Sequence, residues 1–245
     1  NEAGDQMNAW IIKPKNFDKN KKYPLFMFQY SGPGSQQVAN SWDNGNGIWF
    51  EMLAQKGYIV ACVDGRGTGY KGAKFKKVTY MNLGKYEIED QIAAAKWFGN
   101  QSYIDKSRIG MFGWSFGGYM TSLAMTKGAD VFKMGIAVAP VTNWRYYDSV
   151  YTERFMRTPQ ENPDGYDKNS PTEYANLLKG KFLLIHGTAD DNVHFQNSME
   201  FSEALIQNKK QFDFMAYPDK NHGIYGGQTR PQLYQKMTDF ILENL

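Results

Sequence analysis

The sequence predicts an α/β domain, a mostly parallel sheet with helices on both faces. Three observations predict it. Short apolar runs alternate with longer amphipathic stretches along most of the 245 residues, and parallel strands need such crossovers. The apolar runs are nearly continuous, as in strands buried on both faces. One strand runs straight into a helix through Gly113-Trp114-Ser115-Phe116-Gly117.

The elements follow in order after a polar opening. Leu25 to Gln29 is apolar and ends in the loop Tyr30-Ser31-Gly32-Pro33-Gly34. Ile48 to Lys56 reads as a helix stopped by Gly57, and Tyr58 to Val63 as a buried strand. Glu87 to Phe98 is amphipathic, with Ile88, Ile92, Ala95 and Phe98 on one face, and stops at Gly99. Arg108 to Phe112 is a strand, and a helix starts near Gly118. Met134 to Ala139 is a strand. Phe182 to Ile185 is a strand, Phe195 to Ile206 a helix, Phe212 to Ala216 a strand and Pro231 to Leu242 the last helix. The connection over 140–171 is oversized and rich in aromatic and polar residues, which marks it as functional.

Composition narrows the function. A chain of this length buries roughly 70–75% of its unfolded surface and needs no covalent staple. The net charge of +3 is too small to argue for nucleic acid or a membrane surface. No apolar stretch approaches a membrane span, and no signal peptide opens the chain. It does not start with Met and opens in mid-pattern, so it is expected to be a processed product or an excised domain. The single cysteine, Cys62, sits in an apolar run as a small core residue. With three histidines and no cysteine pair, a zinc site has no support, and no metal or cofactor is expected. Gly65-x-Gly67-x-Gly69 departs from the dinucleotide-binding spacing. Lys71, Lys74, Lys76 and Lys77 read as a solvated face.

A Gly-x-Ser-x-Gly at a strand-to-helix junction is the nucleophile elbow of an α/β-hydrolase fold. Serine needs an adjacent base, and the base needs an orienting acid. In this fold the order is serine, acid, histidine. His186 and His194 flank the acid candidates, while His222 follows them in the loop after the last strand, so His222 is the base. Asp190 and Asp191 both lie in the loop after Phe182–Ile185, and spacing alone does not separate them. His186 orders that loop. The Phe116 N–H supplies one oxyanion donor and the Tyr30–Gly34 loop the second. By composition Tyr30 is a half-buried aromatic at a strand end. Trp144, Tyr147 and Tyr151, spaced i, i+3, i+7, read as one helical face burying an aromatic stripe.

The motifs Asp-Gly-Arg-Gly-Thr-Gly at 64–69, Gly-Trp-Ser-Phe-Gly-Gly-Tyr-Met at 113–120 and Val-Ala-Pro-Val at 138–141 resemble the prolyl oligopeptidase family. So do Tyr-Asp-Ser-Val-Tyr-Thr-Glu-Arg at 147–154, His-Gly-Thr-Ala-Asp-Asp-Asn-Val-His at 186–194 and Asn-His-Gly-Ile at 221–224. The likeness covers nearly the whole chain and is nearest the bacterial dipeptidyl-peptidase branch. It implies a serine peptidase that releases N-terminal Xaa-Pro or Xaa-Ala dipeptides through an acyl-enzyme on Ser115. It implies a triad of Ser115, Asp190 and His222, and makes Tyr30 an oxyanion donor beside Phe116. It implies that Val141, Trp144, Tyr147, Tyr151 and Val193, with the Phe116 ring, line a pocket for proline, and that Asn192 holds the preceding carbonyl. Phe116 stands where tyrosine is common, keeping the aromatic wall without its hydroxyl. The family carries an upstream β-propeller whose acidic pair holds the substrate's amino terminus. Nothing here corresponds to it, so residues 1–245 are expected to be an isolated catalytic domain, weak or silent in dipeptide release. The likeness also implies export to the periplasm or cell surface and homodimerisation of the full-length protein. The rival readings are an acylaminoacyl-peptidase, an esterase, or a catalytically silent domain.

Overall fold

The computed structural model describes residues 1–41 and 46–245. Among the described residues seven strands form one sheet in the order β1-β3-β2-β4-β5-β6-β7. They are β1 (Asn8–Ile12), β2 (Tyr23–Phe28), β3 (Ile59–Asp64), β4 (Ile104–Trp114), β5 (Met134–Val138), β6 (Lys181–Gly187) and β7 (Asp213–Tyr217). β1 pairs antiparallel against β3, and the other neighbouring pairs among the described residues are parallel. β1 lies in the segment that reads from sequence as a polar opening. It is a short, half-exposed edge strand, so the unbroken apolar run that marks the central strands is missing.

The helices are α1 (Gly47–Gln55), α2 (Gly72–Lys77), α3 (Lys85–Gly99), α4 (Phe116–Thr126), α5 (Ser149–Met156), α6 (Pro163–Asp167), α7 (Gln196–Gln207) and α8 (Thr229–Asn244). The expected elements lie within a few residues of these bounds. α2 is the lysine run, and Phe75 alone is buried there. The connection over 140–171 is not structureless. It holds a 3₁₀ turn at Trp144–Tyr146, then α5 and α6.

Alternation along the strands divides the core in two. Leu25 and Met27 of β2, with Ile59, Ala61 and Val63 of β3, pack with α3, α4 and α7 on one face. Phe26, Phe28, Val60 and Cys62 point the other way, toward Trp49, Phe50 and Leu53 of α1 and Leu233, Met237 and Phe240 of α8. Successive strand side chains point to opposite faces, so burying both sets requires helices on both sides. Cys62 is fully buried and unpaired.

The parallel strands matter for the site because their carboxyl ends share one edge. β2 leads to Tyr30, β4 to Ser115, β5 to Val141, β6 to Asp190 and β7 to His222. Ligands of open α/β sheets bind beyond that edge.

Candidate active site

The serine sits where the chain cannot relax. Ser115 has φ 61° and ψ −118°, a conformation costly for a residue with a Cβ. Tertiary contacts hold it there. Its N–H donates to the Val138 carbonyl at 2.8 Å, and its carbonyl accepts from the Tyr119 N–H at 3.0 Å. The flanking glycines are required by close approach. A Cβ on Gly113 would overlap the Gly117 carbonyl, and a Cβ on Gly117 would lie 2.6 Å from the Gln29 carbonyl oxygen. The turn therefore lifts a half-exposed Ser115 above a buried sheet. Phe116 opens α4, so its N–H has no carbonyl partner within the helix.

Asp190 and His222 come together from the β6 and β7 loops. His222 Nδ1 lies 2.7 Å from Asp190 Oδ2. That nitrogen faces a carboxylate, so it carries the hydrogen and leaves Nε2 free to accept a proton. Asp190 Oδ1 accepts the N–H groups of Asn192 at 3.0 Å and Val193 at 2.9 Å. Burial alone would raise the Asp190 pKa. The hydrogen bonds from His186 and His222 outweigh it and hold the carboxyl well below the usual carboxylate range. Asp191 is exposed, and its side chain makes no hydrogen bond among the described residues. The two aspartates that spacing left equivalent thus have different surroundings. His222 is tied to the elbow through the residue before the serine, since the Trp114 indole N–H donates to the His222 carbonyl at 3.0 Å.

Tyr30 stands at the end of β2, half-buried, with its ring 6.2 Å from that of Phe116. Burial raises the phenol pKa, and the neighbouring Ser115 side chain works against that rise. The hydroxyl therefore keeps its proton at neutral pH. Gln29 and Ser31, on either side of Tyr30, are fully buried. Gln29 Nε2 donates to the Gly117 carbonyl at 2.8 Å and Ser31 Oγ to Gln29 Oε1 at 3.1 Å. Gln91 of α3 reaches Ser31 Oγ at 3.3 Å. This buried chain couples the Tyr30 segment to the elbow, and little in the sequence marks it. Its one signal was a glutamine closing the otherwise apolar run Leu25–Gln29.

The aromatic residues cluster, but not on one helix. Trp144 lies in the 3₁₀ turn, Tyr147 is extended at φ −110° and ψ 161°, and Tyr151 belongs to α5. The Asp148 side chain accepts from the Tyr151 N–H at 2.7 Å and starts a new helix there. The single helical face expected from the i, i+3, i+7 spacing is corrected accordingly. The rings nevertheless meet, with Trp144 5.5 Å from Phe116, 5.9 Å from Tyr147 and 5.9 Å from Tyr151. Val141 and Val193 are buried in the same cluster. The Tyr147 hydroxyl donates to Asn192 Oδ1 at 2.6 Å, joining the aromatic connection to the Asp190 loop. The Asp190–His222 pair and the aromatic cluster thus lie on the same sheet edge as Ser115. Among the described residues no group of three or more metal-ligating side chains is present, and no helix is long and apolar enough to cross a membrane.

Residues 48–245 match the sequence pattern of the prolyl oligopeptidase family. The chain is similar to a solved structure titled Porphyromonas gingivalis dipeptidyl peptidase 4, with a TM-score of 0.94 and 55% identity over 98% of this chain and 34% of that one. It is similar to a putative dipeptidyl aminopeptidase IV from Bacteroides ovatus, with a TM-score of 0.95 and 37% identity over 100% of this chain and 34% of that one. Among curated proteins it is 46% identical to a probable dipeptidyl-aminopeptidase B of Neurospora crassa, over 99% of this chain and 26% of the relative. The mouse prolyl endopeptidase FAP is also 46% identical, over 94% of this chain and 30% of that protein. The chain thus spans about a quarter to a third of these relatives' length.

Proposed function

The chain belongs to the prolyl oligopeptidase family, and from that premise we propose that it is the catalytic domain of a serine peptidase releasing Xaa-Pro or Xaa-Ala dipeptides. The observation that carries the reading is the 2.7 Å bond between His222 Nδ1 and Asp190 Oδ2, on a histidine anchored to the residue before Ser115. In the proposed reaction Ser115 Oγ attacks the scissile carbonyl while His222 Nε2 takes its proton. Asp190 holds the imidazole in the required tautomer and stabilises the imidazolium. The Tyr30 hydroxyl and the Phe116 N–H donate to the oxyanion. The imidazolium then passes its proton to the leaving amine, the C–N bond breaks, and a dipeptidyl ester remains on Ser115. Water, deprotonated by His222, releases the acid and restores the serine.

Proline suits the proposed pocket because half-buried Tyr147 and Tyr151, backed by buried Val141, Trp144, Val193 and Phe116, form an apolar and aromatic wall for a ring that brings no N–H to satisfy. Asn192 would donate its amide N–H to the preceding carbonyl, since its Oδ1 already accepts from Tyr147. Export and homodimerisation belong to the same proposal and rest on the family likeness alone.

The substrate class is tested with the chain in its native flanking sequence. Gly-Pro and Ala-Pro anilides are compared with acetyl-alanine anilide and short-chain esters. We expect the free-amine Xaa-Pro anilides to have the highest kcat/KM and N-acetylated Gly-Pro anilide to be refused. Preference for acetyl-alanine or the esters would assign an acyl-peptidase or esterase instead. In the same assay Tyr30→Phe is expected to lower kcat about 100- to 1000-fold with little change in KM. An unchanged kcat would remove Tyr30 from the oxyanion site.

A further inference from the structure

Asp190 serves two histidines. Its Oδ2 lies 2.7 Å from His222 Nδ1 and 3.1 Å from His186 Nε2. His186 is wholly buried near the end of β6. Its Nε2 also lies 2.8 Å from the Val193 carbonyl oxygen. Two acceptors face Nε2, so that nitrogen carries a hydrogen. On the other side of the ring Nδ1 lies 2.7 Å from Ser198 Oγ, on α7. A neutral ring then donates through Nε2 and accepts the Ser198 hydroxyl hydrogen through Nδ1. Every polar atom of the ring is paired, as burial requires.

We infer that His186 is a positioning residue for the catalytic acid: it fixes Oδ2 of Asp190 at the place where His222 must find it. The inference rests on the serine-peptidase reading above. The physical reason lies in how the carboxylate is held. Oδ1 is fixed by the Asn192 and Val193 N–H groups of its own loop. Without His186, the only side chain bonded to Oδ2 among the described residues is His222, the group that Asp190 has to orient. His186 bonds both Asp190 and the Val193 carbonyl, so it ties the acid to the backbone turn that carries it. Ser198 holds the ring from behind and extends the arrangement to α7. A ring that only filled space would not need a donor aimed at the acid.

The test uses two amide substitutions that divide the ring's functions. Glutamine can place its amide nitrogen near the former Nε2, toward Asp190 and Val193. Asparagine can place its amide only near the former Nδ1, toward Ser198. His186→Gln is expected to keep most of the wild-type rate. His186→Asn is expected to lower kcat about a hundredfold with KM unchanged, the usual penalty for a misplaced catalytic group. Thermal melts of both variants accompany the kinetics, and the rate of Ser115 modification by a fluorophosphonate gives a second readout if either folds poorly. Equal rates for the two variants, or a slow glutamine variant beside a fast asparagine one, would overturn the inference. If the wild-type protein is not modified at all, the serine-peptidase reading itself fails; rapid wild-type modification with indistinguishable variants sinks only the role of His186.

Discussion

Ser115→Ala is expected to lower kcat about a millionfold, leaving only what binding and the oxyanion donors provide. The fold should survive the change. The Ser115 side chain makes no capping hydrogen bond, and alanine meets the same steric cost at φ 61° that serine does. Ser115→Gly separates strain from chemistry at one position. It is expected to be as inactive as alanine yet more stable by about 1 kcal/mol, because glycine adopts this φ freely while losing more freedom on folding. Steady-state kinetics and thermal melts of the two variants check both halves. A Ser115→Ala protein with more than a hundredth of the wild-type kcat would show that the nucleophile lies elsewhere.

Asp190→Asn is expected to cost about ten-thousandfold in kcat at neutral pH. The surroundings dictate how. Two backbone N–H groups face Oδ1, so the asparagine carbonyl oxygen takes that place and its NH₂ takes the place of Oδ2. The NH₂ then meets His222 Nδ1, and His222 must turn into the tautomer whose Nε2 carries the hydrogen. A base already protonated at Nε2 cannot take the serine's proton. A loss below about tenfold would mean that His222 does not depend on this acid.

The sequence carried the architecture well where burial is two-sided. Runs such as Tyr58–Val63 and Phe182–Ile185 have no strong alternative to a central strand. The elbow was legible because its glycines answer to backbone overlap, which leaves no choice of residue. Chain order singled out His222 without any geometry. Spacing could not separate Asp190 from Asp191, because the difference lies in which carboxylate turns inward to the Asn192 and Val193 N–H groups. The i, i+3, i+7 spacing of the aromatic segment points to one helix because it ignores Asp148, whose side chain caps a new helix after an extended Tyr147. β1 was hidden by its exposed edge position. The double use of Asp190 was not visible, because it depends on two loops brought together by the pairing of β6 with β7.

The proposed mechanism requires Ser115 to be an activated nucleophile. Peptide mapping by mass spectrometry, after the folded protein reacts with a serine-directed fluorophosphonate, tests it most directly. One adduct per chain is expected, on Ser115, and it disappears when the protein is unfolded before exposure. An adduct on another residue, or none on a chain shown to be folded, would contradict it.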